Sequence, residues 1–145
     1  MGGFDIRSKA FQNSIVAAIE AAELDTSGEI RLHLEPKCKE DPIQRAIYVF
    51  NKLNMDKTQL KNGVLIYVAY ADKKLAIIGD SGINVKVPAD FWEEIKKELI
   101  SDFVANDVQN GLTKAIVAIG KSLKNYFPYS SDDVNEHPNE VSYGE

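Results

Sequence analysis

Between residues 8 and 24 the apolar positions Phe11, Ile15, Ala18, Ile19 and Ala22 recur three and four apart, with Lys9, Gln12, Asn13, Glu20 and Glu23 around them. That spacing is the stripe of an amphipathic helix. "DTSG" breaks it, and from Glu29 to Leu34 the period drops to two. Ile30, Leu32 and Leu34 share one face and Glu29, Arg31 and His33 the other, so a half-covered strand is expected. Asp41 stands before Pro42 as an N-cap stands before an N1 proline, and Ile43, Ala46, Ile47, Val49, Phe50 and Leu53 give a second helix its apolar face. "NMDKTQLKNG" reads as a loop. Val64 to Ala69, "VLIYVA", is apolar without alternation, as expected of a central strand covered on both sides.

"YADKK" is a short polar connection to a second apolar run, Leu75 to Ile78, so the two runs read as a hairpin. Pro88 opens a third helix carrying Phe91, Trp92, Ile95, Leu99, Ile100 and Phe103, and Trp92 and Phe91 read as helix-packing residues. Asn106 to Gly111 interrupts the pattern. Leu112, Ala115, Ile116, Ile119, Leu123 and Phe127 then form a fourth helix, which Pro128 ends. "VSY" near the C-terminus is expected either to add an edge strand or to drape over the body. The crossover helix makes the first two strands parallel with a right-handed connection, and the hairpin makes the third antiparallel. The expected fold is a three-layer α/β/α sandwich with a small mixed, partly parallel sheet.

Composition narrows the class. A chain of 145 residues with 44% hydrophobic and 27% charged residues fits one domain able to bury about two-thirds of its unfolded surface. We read residues 1–129 as that domain and 130–145 as an acidic tail. The net charge of −5 is local to the tail: Asp132, Asp133, Glu136, Glu140 and Glu145 lie there without Lys or Arg, leaving the body neutral. A neutral body offers no long-range attraction to nucleic acid or anionic lipid, so neither is expected as a partner. No apolar run approaches the ~18–20 residues that cross a bilayer, and "MGGFDIRSKAFQ" lacks the regions of a secretory signal, which predicts a cytoplasmic protein without direct membrane insertion. Cys38 in "PKCKED" has no second thiol to pair with and reads as an incidental surface thiol. His33 and His137 have no neighbouring ligand at zinc spacing.

The topology singles out one place for chemistry. The starts of the first and second strands and the end of the third share one end of the sheet, where the sequence reads "TSGE" (26–29), "KNG" (61–63) and "GDSG" (79–82). Each joins oxygen-bearing side chains to glycine, which permits close backbone approach or a positive φ. Hard divalent cations take such oxygen ligands. Asp80 is the leading candidate, with Glu29, Asn62, Ser27 and Ser81 beside it, Thr26 as a lesser one and Lys61 as a neighbouring positive charge. Asp107, ahead of "VQNGLTKAI", is an outlying candidate whose alternative role is a helix cap. The competing reading for Asp80 is an Asx-turn, with the glycines serving only the bends. With few carboxylates, a calcium site here would be weak.

"TSGEIRLHL", "KNGVLIYVA", "KLAIIGDSGIN", "FW" before a helix, "GLTKAIVAIGKSLKNYFP" and "VNEHPNEVSYG" together resemble, in order, the TPM domain over about residues 11–144. The resemblance implies an α/β sandwich and a divalent-cation site near the acidic loops, with calcium preferred and magnesium an option. Asp80 carries over most directly, followed by Asn62 and Glu29. Some plant members of that family are described as acid phosphatases, while others act in photosystem repair or bind membrane receptors, so fold does not fix function. The expectation is therefore a stand-alone cation-binding regulatory module with an unidentified protein partner. The alternative is a metal-dependent phosphomonoester hydrolase, although no phosphatase nucleophile motif is present.

Overall fold

The structure, a computed structural model, describes residues 8–24, 26–128 and 141–144. The first apolar stripe forms α1, Lys9–Glu23, capped by Ser8, whose Oγ accepts from the Phe11 N–H. β1 spans Glu29–Glu35, α2 Pro42–Lys52, β2 Gly63–Ala69 and β3 Lys74–Gly79. Asp41 caps α2 by accepting from Gln44 N–H, with Pro42 in the first turn. A four-residue α3, Ser81–Asn84, follows β3 directly; then come α4, Phe91–Val104, α5, Val108–Tyr126, and β4, Val141–Tyr143. The loop after α2 contains one 3-10 turn, Met55–Lys57. The sequence placed a break at residues 106–111, but α5 has already begun at Val108. The break is a sharp turn at Asn106, φ 64°, and Gly111 lies inside the helix. A Cβ at Gly111 would stand 2.7 Å from Asp102 Cβ, so glycine here lets α5 approach α4.

The sheet order is β3-β2-β1-β4. β1 runs parallel to both β2 and β4, while β2 and β3 form the antiparallel hairpin. On one face Ile30, Leu32 and Leu34 join Val64, Ile66, Val68, Leu75 and Ile77 in a core shared with α1, α4 and α5. On the other, Leu65, Tyr67, Ala69 and Ala76 pack with Ala46, Val49 and Phe50 of α2 and with Met55. All seven residues of β2 are buried, as its unbroken apolar run requires. The chain is therefore a three-layer α/β/α sandwich with a mixed sheet.

Two expectations are corrected. β1 is buried along its whole length, including Glu29, Arg31, His33 and Glu35, because its polar face carries a network of partnered side chains instead of open water. Cys38 is 3% exposed: its thiol donates to the Glu40 carbonyl at 3.2 Å, and its N–H donates to Asp72 Oδ2 at 2.8 Å. His137 and the acidic stretch ahead of β4 lie outside the described residues.

Glu23, at the end of α1, is the strained titrating group of this frame. Burial lifts its pKa from 4.5 to about 7, opposed by the Ile30 N–H that donates to its Oε2 at 2.7 Å and reinforced by the charges of Glu29 and Glu20. A pKa raised on folding contributes stability below the unfolded value and loses it as pH rises through the folded one. Stability should fall between about pH 4.5 and 8. Glu23→Gln keeps an oxygen for Ile30 and should flatten that fall, raising Tm at pH 8 by a few degrees but not at pH 4.5; calorimetry at both pH values checks this.

Candidate cation site at one end of the sheet

Register puts the three glycine-containing turns at one end, since Glu29 pairs with Gly63 and Val64 with Gly79. They divide into two halves with different work. Near β1, "TSGE" closes the C-terminus of α5. The Thr26 hydroxyl lies 2.9 Å from the Leu123 carbonyl and also reaches that of Phe127, while the Ser27 N–H donates to Phe127 O at 3.0 Å. These contacts satisfy carbonyls that a helix end leaves without intrahelical partners. Asn62, 2% exposed, donates from Nδ2 to Ser27 Oγ at 3.3 Å, and its carbonyl accepts from Glu29 N–H at 3.4 Å. Ser27, Asn62 and the buried Glu29 thus share the correct end of the sheet but are built into the joint with α5.

The β3 half is organised around Asp80. Its Oδ1 accepts from the Ser81 N–H at 2.7 Å and so caps α3, while Oδ2 is buried with no hydrogen-bond partner among the described residues. Gly82 lets α3 lie on the preceding loop, because a Cβ there would stand 2.0 Å from Leu60 O and 2.6 Å from Lys61 O. No described glycine takes a positive φ; Lys61 does, at 53°, and its Nζ donates to the Asp56 carbonyl at 2.5 Å. This folds the 55–61 loop toward Asp80. Asp56 Oδ1 and Thr58 Oγ1 are likewise buried without a hydrogen-bond partner. Asp56 and Asp80 line one cavity of about 360 Å³, with Asn51 and Asn84 as further oxygen donors and Ile47, Phe50, Ile77, Ile78 and Trp92 as apolar walls.

Desolvating a carboxylate oxygen without a partner is costly, and two in one cavity suit a hard cation. The donor set is sparse: among the described residues no group of three or more His, Cys, Asp and Glu comes together as a metal cluster. Any cation here would complete its shell with carbonyl, hydroxyl or water oxygens. Asp56 and Thr58 were missed by sequence reasoning because "NMDKTQL" carries no periodic pattern; a D-x-T step just ahead of "KNG" was the available signal. Ser81 sits beside Asp80 on the surface. Asp107 does not join the group. It lies at the hairpin end of the sheet, where Asn106 and Val108 line a different cavity with Tyr70 and Lys73, and its Oδ2 accepts from Asn110 Nδ2 at 3.1 Å.

A second polar cluster fills the α2 face of β1. Arg45 donates to Glu35 through Nε (2.8 Å) and a terminal nitrogen (3.0 Å), and Tyr67 donates its hydroxyl to the same carboxylate. His33 bridges Glu35 Oε1 (3.3 Å) and Ser142 Oγ of β4 (2.7 Å), and its ring stacks on Tyr67. Gly144 closes the cluster from above; a Cβ there would meet Glu35 Oε1 at 2.2 Å and His33 Nε2 at 2.9 Å. Burial would push Glu35 up, but the bonds from Arg45, Tyr67 and His33 prevail and hold it at about 2. Burial lowers His33 against the opposing pull of Glu35. His33, isolated in sequence, is therefore a structural tie.

A family model for the TPM domain matches residues 6–122. The chain belongs to the TPM domain family. Among solved structures it is similar to the BA42 protein of the psychrophilic bacterium Bizionia argentinensis, at 44% identity and TM-score 0.88 over 97% of each chain. Two N-terminal domains share the TPM fold at low identity. That of the cg2496 protein of Corynebacterium glutamicum has 13% identity and TM-score 0.64 over 90% of this chain and 81% of that one. That of a P. gingivalis protein has 12% identity and TM-score 0.69 over 91% and 83%. No curated protein matches the chain. No helix among the described residues of this TPM domain is long and apolar enough to cross a membrane.

Two variants test this geometry. Gly82→Ala forces a methyl into the 60–61 backbone and should cost about 1–3 kcal/mol in urea unfolding. Glu35→Gln should cost about 3 kcal/mol at pH 7 by leaving Arg45 without its charge partner. A pKa depressed on folding contributes stability above the unfolded value and loses it as pH falls through the folded one. The parent should therefore lose stability from about pH 4.5 toward pH 2, and Glu35→Gln should lack that component in unfolding curves across the same range.

Proposed function

We propose that this TPM domain binds a divalent cation, with calcium preferred, between Asp56 and Asp80, and that occupancy changes how the adjoining loops meet a protein partner. The observation that carries the reading is that Asp56 and Asp80, each with one buried carboxylate oxygen lacking a hydrogen-bond partner among the described residues, line the same cavity. Magnesium demands tighter octahedral geometry than two carboxylates on separate loops readily supply. The low ligand charge implies a Kd on the order of 10⁻⁴ to 10⁻³ M. Asn62, Ser27 and Glu29 would support the site through the loop that they anchor to α5.

The test is an amide NMR titration of chelator-stripped protein with calcium and then magnesium. Saturable shifts should be confined to residues 56–62 and 79–84, stronger with calcium, and lost in Asp80→Ala. Retained shifts in that variant, or no saturable shifts in the parent, count against the site.

One observation favours a second reading, phosphomonoester hydrolysis: the Lys61 ammonium donates to the backbone carbonyl of Asp56, whose residue lines the cavity with Asp80. A bound cation would supply charge stabilisation for a transferring phosphoryl group there, and Lys61 could hold a phosphate oxygen. Turnover of an aryl phosphate should then fall at least about tenfold in Asp80→Ala and Lys61→Ala. Equal turnover in parent and variants eliminates this reading and leaves the cation reading to the titration.

A further inference from the structure

The same cavity opens onto a strand with no second neighbour among the described residues. β3 is an edge of the sheet, and the Asp80 N–H donates to Gly63 O at 2.9 Å. With Ile78 opposite Leu65 and Ala76 opposite Tyr67, antiparallel alternation turns the main-chain groups of Asp80, Ile78 and Ala76 toward β2 and those of Gly79, Ile77 and Leu75 outward. Of these, the Gly79 carbonyl is taken by Asn84 Nδ2 at 2.8 Å. The remaining outward N–H and C=O groups form a ladder ready for another strand. The edge carries no proline or bulge, devices that commonly blunt such edges.

The cavity walls suit an extended occupant. Ile47 and Phe50 of α2 stand on one side and Trp92 of α4 on the other, so successive side chains of an added strand would face opposite walls. Trp92 is held in place: Nε1 donates to Asn84 Oδ1 at 2.7 Å, and Phe91 meets its ring edge-on at 4.8 Å. Ile47 is 44% exposed on the opposite wall. At the Gly79 end the slot terminates in Asp80, which has no ion-pair partner among the described residues, and in Asp56, whose Oδ2 lies 3.6 Å from Lys57 Nζ. A slot with apolar walls, an open ladder and a carboxylate end is complementary to a strand bearing an apolar side chain and, next to it, a cationic one.

We propose that the β3 edge binds an extended peptide segment of a partner protein as a fifth strand, its alternate apolar side chains packing on Ile47 and on Trp92 and its Lys or Arg against Asp80. The peptide and the cation of the preceding section share Asp80 and therefore compete, but the ladder and the apolar walls do not depend on a cation.

Trp92 is the sole tryptophan and reports occupancy by fluorescence. A random twelve-residue phage-displayed library selected on the chelator-treated full chain should enrich tryptophan-free sequences with alternating apolar residues and one Lys or Arg. Synthetic peptides of those sequences should shift Trp92 emission saturably. Asp80→Asn should weaken binding at least about tenfold, and exchanging the peptide's cation for Glu should do the same. N-methylating one alternate set of peptide amides should abolish binding while the other set tolerates it. Failure to enrich peptides, equal tolerance of both methylation sets, or undiminished binding to Asp80→Asn would each overturn the proposal. So would a concentration-dependent dimer in sedimentation that the peptides do not dissociate, since the edge would then belong to a second copy. Repeating the titration in millimolar calcium separates the two readings: weaker peptide binding supports both, whereas indifference to calcium leaves the edge site standing and tells against the cation site.

Discussion

Burial of the parallel pair β1 and β2 on both faces is the constraint from which the rest of the molecule follows. A parallel pair needs a crossover, and α2 supplies it, lying mainly over β2 and β3 on one face while α1, α4 and α5 cover the other. Residues that start both strands then have to emerge at one end, beside the end of β3. Three turns meet there because the strands have no other way to run. α2 lies mainly over β2 and β3, so the polar side of β1 is covered by side chains that reach it from α2, β2 and β4. Arg45, Tyr67 and His33 converge on Glu35, and Ser142 holds His33 from the other side.

The turn cluster shows how glycine, carboxylate and helix end divide the work. Gly82 allows backbone to touch backbone, which fixes the distance between the Asp56 loop and Asp80. Asp80 spends one oxygen on starting α3 and leaves the other buried without a hydrogen-bond partner. On the neighbouring side, Thr26 and Ser27 spend theirs on ending α5. The two halves look alike in sequence, since each joins hydroxyl or carboxylate residues to glycine, yet only the β3 half leaves oxygens unpartnered.

Much of the fold was legible because its signals are periodic. The stripe from Phe11 to Ala22 and the unbroken apolar β2 each bury what their pattern says they bury, and Asp41 with Pro42 marks the start of α2 to the residue. α3 was not legible because four residues contain barely one helical period. The burial of β1's polar face was hidden because its partners arrive from distant segments: Ser142 lies 109 residues from His33. Asp56 was hidden for a different reason, since its place beside Asp80 depends on a left-handed Lys61 and on a glycine across the gap. The glycines themselves were half-read. Close approach is their role at positions 82 and 111, and the positive φ values fall on Asn54, Lys61, Lys73 and Asn106.

β4 has a consequence for the order of assembly. A Cβ at Gly144 would collide with Glu35 and His33, so glycine lets the end of β4 close over that cluster. Its partner β1 lies more than a hundred residues earlier, and closing so long a loop is entropically unfavourable until the rest of the sheet is in place. β4 should accordingly dock late and detach first, making the short C-terminal strand a lid whose local opening lets water reach the Glu35 cluster while the hydrophobic cores stay closed.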